Sequence, residues 1–287
     1  MKKSNIILIV ILTGMFAVCQ LSAKTFLWEV KSETGKVYIL GSIHIGDSTL
    51  YPLDNIIEDL FAKSDFLVLE LDISQVQAVD VLKYTMLPDT LTLAGAVDSA
   101  TYADFKSLFE KHRIPYLSYF KLKPWFAVMT LQSLELSSAD YAPAYGIDMY
   151  FLDKAQERNL KIKQLESLEF QMSVLDTLNS FTGEFLEQTL KNVEQSGSML
   201  DSIITAWKNG DISAMDKLIN TNSDLPNFDK IMHHINYSRN YNMVDKIEQF
   251  LNEKGVHFVV VGAAHLIGRE GIIELLNKKN KYIITQQ

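Results

Sequence analysis

The sequence predicts a mixed α/β fold, also describable as α+β. A partly parallel central sheet is built from the N- and C-terminal thirds, with a largely helical insertion between them. Three observations lead there. Apolar, strand-like runs at 36–40, 66–71 and 257–261 lie near the two ends of the chain. Helical periodicity dominates the middle. A short pattern, strand then Gly-x-x-His then Gly, occurs once in each terminal third. At 287 residues and 47% hydrophobic, the chain can bury a sizeable core.

Residues 1–23 read as an export signal. Lys2 and Lys3 are followed by an apolar run over 6–18, and the next charge is Lys24. Such a run is too short to span a bilayer comfortably and matches the apolar centre of a signal peptide. Ala23 offers a small residue for cleavage. Lipoprotein processing at Cys19 is the minor alternative, since Val18 is a poor residue before a lipidated cysteine. Residues 24–287 are then one domain, periplasmic or extracellular, with no membrane span after signal removal.

Cys19 is the sole cysteine, so residues 24–287 contain no disulfide, thiolate metal ligand or thiol nucleophile. Any metal must be held by His and carboxylates. Loss of Lys2 and Lys3 makes the formal charge of −8 two units more negative. That argues against nucleic acid or an anionic membrane as partner and leaves a peptide or a small molecule. Oligomeric state has no signature here.

Residues 26–30 and 36–40 flank the turn sequence Ser32-Glu33-Thr34-Gly35 and predict a hairpin. Residues 53–63 are helical in period, and 66–71 is a nearly continuous apolar run, as in a strand buried on both faces. Strand, helix and strand make a βαβ unit. Near the other end, 242–252 predicts a helix closed by Gly255 at C′. A strand at 257–261, a helix at 269–278 and a last strand at 281–285 follow. The insertion, about 75–250, shows helical period at 102–111, 124–136, 147–158, 183–193 and 199–208, the last capped by Ser198 with Asp201 three on. One strand near 162–165 interrupts it.

The chemistry is concentrated at the repeat, Gly41-Ser42-Ile43-His44 and Gly262-Ala263-Ala264-His265. Random placement of 13 Gly and 6 His in 287 positions would give well under one Gly-x-x-His match; there are two, each just after an apolar strand. Ligands collect at the carboxyl ends of strands in open α/β sheets, so the two imidazoles are expected to converge there. Gly41 and Gly262 let the backbone turn and approach a ligand. Glu70 ends the 66–71 strand on the same expected edge. A buried carboxylate needs a cation, donors or water, so Glu70 is either part of the site or half of a structural ion pair.

Four further residues are candidates. Asp148 opens the 147–158 helix, where it either supports the site or favours the helix dipole. Glu166 follows the 162–165 strand, repeating the placement of Glu70. Arg239 and Asn240 precede the second His loop and are candidates for binding a substrate carboxylate or an oxyanion. His233 and His234 are adjacent on one helix, do not face one point and are read as surface. The aromatic-rich stretch 116–126 is read as core.

These residues resemble the TraB/GumN family, related to the Tiki metalloproteases and more distantly to the erythromycin-esterase and ChaN-like fold. The ordered set is Gly41-Ser42-Ile43-His44, Tyr51-Pro52-Leu53, Leu69-Glu70-Leu71-Asp72, Tyr145-Gly146-Ile147-Asp148, Leu165-Glu166, Arg239-Asn240 and Gly262-Ala263-Ala264-His265. The resemblance implies catalytic machinery made of His44, His265 and Glu70. On that basis the expected function is a metal-dependent hydrolase cleaving a peptide or amide bond. His44, His265 and Glu70 would hold a divalent ion such as Mn²⁺, Co²⁺ or Zn²⁺, with Glu70 either a ligand or the general base. No His-Glu-x-x-His is present, so this would not be a zincin of that type. Two alternatives stay open: a non-catalytic protein that sequesters a peptide, haem or small molecule, and a metal-independent, esterase-like hydrolase with a His as base.

Overall fold

The computed structural model describes residues 24–180 and 183–287; the export signal expected at 1–23 lies outside them. Among the described residues six strands form one sheet: β1 (Leu27–Lys31), β2 (Lys36–Ser42), β3 (Phe66–Leu69), β4 (Lys161–Gln164), β5 (Val256–Gly262) and β6 (Ile283–Gln286). Their order across the sheet is β4-β3-β5-β2-β1-β6. β1 and β2 pair antiparallel as the expected hairpin, and β6 adds antiparallel to β1. The β2–β5, β5–β3 and β3–β4 pairs are all parallel. The mixed, partly parallel sheet from the two ends of the chain is therefore observed.

One relationship was not anticipated. β2 and β3 are joined by the helix Asn55–Ala62, yet they are not neighbours, because β5 lies between them. All three are buried almost throughout. Side chains such as Leu40, Val68 and Val259 fill the space on either face of such a strand, hence the apolar runs. The two edge strands β4 (Lys-Ile-Lys-Gln) and β6 (Ile-Ile-Thr-Gln) have no fully buried residue. Their polar and lysine positions suit strands with one unpaired side.

The segment between β3 and β5 is largely helical, with β4 the strand that interrupts it. Part of it has its own apolar cluster, in which Leu93, Phe105, Phe109, Leu131 and Val193 are fully buried and separate from the sheet's core. The stretch 116–126 is split: Tyr119, Leu122 and Trp125 are buried, while Tyr116 and Leu117 are exposed.

Two cap expectations are corrected. The helix expected at 199–208 runs Ser196–Lys208, so Ser198 is inside it and its hydroxyl donates to the Gln195 carbonyl. The last long helix is Ser238–Asn252. Its C-cap is Glu253 in extended conformation, and Gly255 (φ 105°) makes the turn two residues later.

Candidate functional site

The four parallel strands all end on one edge. β2 ends at Ser42 level with Gly262, and Leu69 of β3 is level with Val260 of β5 and Gln164 of β4. His44, Glu70, Glu166 and His265 therefore leave the sheet side by side, although the sequence scatters them. The pairing continues past the strand ends, where the Glu166 amide donates to the Glu70 carbonyl at 2.8 Å.

Gly262 is the floor of this cluster. A methyl group placed on its Cα would lie 3.3 Å from Glu70 Oε1, 3.3 Å from His44 Nε2 and 3.6 Å from His265 Cδ2. The Gly262 amide donates to Glu70 Oε1 at 2.7 Å. Its backbone (φ −50°, ψ 135°) is one any residue adopts, so the glycine is needed for space rather than for its turn. Gly41 differs. A methyl there would meet Phe26 Cδ1 at 2.7 Å and Ala263 Cα at 3.1 Å, which makes Gly41 a packing position beneath the second His loop and not a neighbour of the reactive groups.

Each imidazole has its Nδ1 committed to an oxygen. His44 Nδ1 donates to Asp148 Oδ1 at 2.9 Å; Asp148 sits in the first turn of the helix Ile147–Glu157. The loop before that helix is pinned by the Tyr51 hydroxyl donating to the Tyr145 carbonyl and by the Ile147 amide donating to the Ile43 carbonyl. His265 Nδ1 donates to Asn240 Oδ1 at 2.6 Å, and Asn240 Nδ2 donates to the Glu270 carbonyl, which fixes the amide's orientation. His265 Nε2 then lies 3.7 Å from Glu70 Oε1, and His44 Nε2 lies over Gly262 with that same oxygen.

Arg239 and Asn240 do not serve as the sequence suggested. Asn240 is fully buried, so its amide holds His265 and reaches no substrate. Arg239 Nε donates to Glu166 Oε1 (2.9 Å), and Nη2 donates to Glu70 Oε2 and Glu166 Oε2 (2.6 Å each). Its Nη1 donates to the Ile235 carbonyl. The guanidinium is thus spent on two buried carboxylates, as a planar five-donor fork allows. The structural ion pair weighed for Glu70 is present, and its other oxygen, Oε1, lies beside His265 Nε2.

Two residues of the network had not been singled out. Gln171 Nε2 donates to Glu166 Oε2 at 2.9 Å and to Glu70 Oε2 at 3.3 Å, from the helix Leu168–Asp176. Asn236 Nδ2 donates to the Ala264 carbonyl in the second His loop. Asn236 lies in a π-helical turn, His233–Tyr237, of the kind frequent at functional sites. Asn236 and Asn240, four apart before the second His loop, were a readable signal; Gln171 had none. His233 and His234 are exposed, as expected. Asp72 caps the next turn by accepting from the Ser74 amide.

The electrostatics separate the three groups. Burial opposes ionisation of Glu70, but the two imidazoles, the Arg239 guanidinium and the Gly262 amide hold its pKa down at about 2. At His265 burial wins: despite Glu70 it is lowered to about 4, so the ring is neutral at neutral pH. Desolvation also opposes protonation of His44. It is the largest single influence on the ring, yet the carboxylates of Asp148 and Glu70 together outweigh it and raise the pKa to about 9.

The donor chemistry suits a divalent ion. Two imidazoles whose Nδ1 hydrogens are held by oxygen acceptors direct Nε2 at a carboxylate, the arrangement that orients histidine ligands. Among the described residues, however, no group of three or more His, Cys, Asp or Glu side chains is placed to hold a metal ion. The fit is one of donor type alone, since the protonated His44 ring would have to lose a proton and Glu70 already faces the Arg239 guanidinium.

A mixed α/β protein with a buried carboxylate and two oriented imidazoles at the carboxyl edge of its parallel strands is the class that fold and site define. The chain belongs to the TraB/PrgY/gumN family, which it matches over residues 26–286. It is similar to the uncharacterized protein YbaP of Escherichia coli (strain K12), 24% identical over 240 residues, covering 83% of this chain and 87% of YbaP. The same figures hold for YbaP of Shigella flexneri. An uncharacterized protein of Treponema pallidum (strain Nichols) is 21% identical over 272 residues, covering 88% of this chain and 80% of that one. No solved structure matches. Among the described residues no helix is long and apolar enough to cross a membrane.

Proposed function

We propose that the protein is a hydrolase of peptide or amide bonds and that the cluster over Gly262 is its reaction centre. The observation that carries this reading is the convergence of Glu70 Oε1 and His44 Nε2 on Gly262, with both imidazoles locked through Nδ1. His44, His265 and Glu70 would hold a divalent ion (Mn²⁺, Co²⁺ or Zn²⁺); when bound it supplies a Lewis acid and a water of lowered pKa.

The rest is work for the chain. Asn240 fixes which nitrogen of the neutral His265 ring is free, and Asp148 orients the His44 ring, whose Nε2 would have to lose its proton to hold an ion. Arg239, shared with Glu166, keeps Glu70 ionised and aimed. Where Glu70 is not itself a ligand of the ion, its Oε1 is the group that would take the proton of the attacking water as general base. Gly262 leaves room for the substrate carbonyl above the sheet. Export belongs to the same proposal, and N-terminal sequencing of protein recovered from outside the cytoplasm should begin near Lys24.

The competing reading, a metal-independent hydrolase with His265 as base, is favoured by the neutral state in which burial keeps that ring, with Nε2 3.7 Å from Glu70 Oε1. Elemental analysis of protein purified without chelator, then peptide-library cleavage with and without added ion, separates the two. Stoichiometric metal and ion-dependent cleavage support the first. Undiminished cleavage in chelator supports the second. Tight peptide binding without cleavage leaves a sequestering protein.

A further inference from the structure

An apolar groove of about 620 Å³ runs between the helices Pro124–Ser138 and Ser196–Lys208. Phe126, Met129 and Ser133, spaced at one helical turn, face Met199 and Ile203 across it. Ile45, the residue bonded to His44, lines the same groove. Its lining contains no charged side chain. Met129 is 44% exposed, so unbranched thioether side chains are offered to whatever enters. Methionine adapts to ligands of varied shape, and an uncharged groove of this size takes an extended apolar group.

We infer that this groove is the specificity subsite for a large apolar side chain of the substrate, next to the bond that is cut. The inference rests on the reading of the Gly262 cluster as a hydrolytic centre, and what selects this occupant is continuity. Ile45, bonded to His44, lines the groove and is the point at which the candidate site and the groove meet. Apolar burial supplies affinity there, and the bond to be cut is left at His44.

Two arms test it. In the first, Glu70→Gln protein is titrated with the uncharged fluorophore N-phenyl-1-naphthylamine and then with a peptide amide carrying leucine and phenylalanine. The dye should bind and the peptide should displace it. Met129→Lys and Ser133→Trp, both at exposed positions, should each weaken dye binding about tenfold with an unchanged circular-dichroism spectrum. In the second arm, a peptide library cleaved by the wild-type protein should show large apolar residues at one position beside the cut. Ser133→Trp should raise KM for those peptides about tenfold at unchanged kcat and shift preference toward alanine and glycine. Dye binding indifferent to both substitutions, or cleavage indifferent to apolar residues, overturns the subsite. Absence of any cleavage would remove the hydrolase reading, while the binding arm still decides whether the groove takes apolar peptide.

Discussion

Arg239 Nη2 lies 2.6 Å from Glu70 Oε2, and the same nitrogen is 2.6 Å from Glu166 Oε2. The pair with Glu70 is therefore one side of a triad in which a single cation serves two buried carboxylates. Removing the cation takes the shared charge partner from both, leaving Glu166 with Gln171 and Glu70 with Gln171, the Gly262 amide and the imidazoles. Arg239→Leu is expected to cost about 3–5 kcal/mol, the range for a broken buried ion pair. Urea unfolding checks it, and a loss below about 1 kcal/mol would mean that water already screens the pair.

Glu70→Gln removes one carboxylate and leaves Arg239 bound twice by Glu166. Stability should change by about 1 kcal/mol or less, since the guanidinium keeps a charged partner. Turnover of a cleaved peptide should vanish. Melting curves with and without divalent ion, run beside the activity assay, distinguish this from a purely structural Glu70, whose replacement would lower the melting temperature whether or not the ion is present.

Asn240 acts through His265. In Asn240→Leu the amide no longer receives the Nδ1 hydrogen, and the ring loses both its orientation and its tautomer. Activity should fall by about 10- to 100-fold, the usual effect of losing such a support. The ring-nitrogen chemical shifts of His265 should move from the pattern of an Nδ1-protonated ring to that of mixed tautomers. An unchanged nitrogen spectrum would refute the positioning role.

The two motif glycines should respond differently to alanine. Gly262→Ala has an allowed backbone, yet its methyl would sit 3.3 Å from Glu70 Oε1 and His44 Nε2. It should abolish activity at nearly unchanged stability. Gly41→Ala overpacks Phe26 and Ala263, at about 1–3 kcal/mol. Thermal melts and cleavage assays on the two variants should therefore give opposite rankings.

Acid should unfold the ion-free protein in two overlapping stages. His265 is neutral in the fold down to about 4, below its ordinary 6.5, so its contribution is complete above pH 6.5 and is lost as pH falls toward 4. Glu70 is depressed to about 2 from 4.5, so its contribution is complete above pH 4.5 and fades toward pH 2. His44 has the opposite sign. Raised to about 9, it stabilises fully below pH 6.5 and is lost as pH climbs through 9, less steeply because the ring is exposed. Urea midpoints across pH 3–10 in chelator should fall at both ends, and His265→Gln should flatten the slope between pH 6.5 and 4.

Much of the fold was legible because periodicity reports burial. β2, β3 and β5 are buried on both faces and read as apolar runs, and the hairpin was marked by Ser32 to Gly35. Strand order was not legible. No local feature of residues 256–262 says that they pair with β2 on one side and β3 on the other. The site was visible as far as its repeat went, through His44, His265 and Glu70. The duties of Arg239 and Asn240 were misread because sequence gives a side chain's chemistry and not its depth. A buried arginine between two carboxylates and an exposed one awaiting substrate are spelled alike. Helices such as Leu168–Asp176, with no fully buried residue, have too weak a stripe to announce themselves, and Gln171 went unseen with its helix.

The seat of β5 between β2 and β3 also sets a timetable. A ribosome supplies β2, the helix after it and β3 within the first seventy residues, but the slot between those strands stays empty until residues 256–262 have been made. Until then both strands present bare hydrogen-bonding edges, the kind that attract other chains and must be kept apart during synthesis or transport. The cluster over Gly262 cannot exist in any such fragment. A nascent chain therefore carries His44 and Glu70 without Gly262 and His265, and the four come together only in the event that closes the sheet.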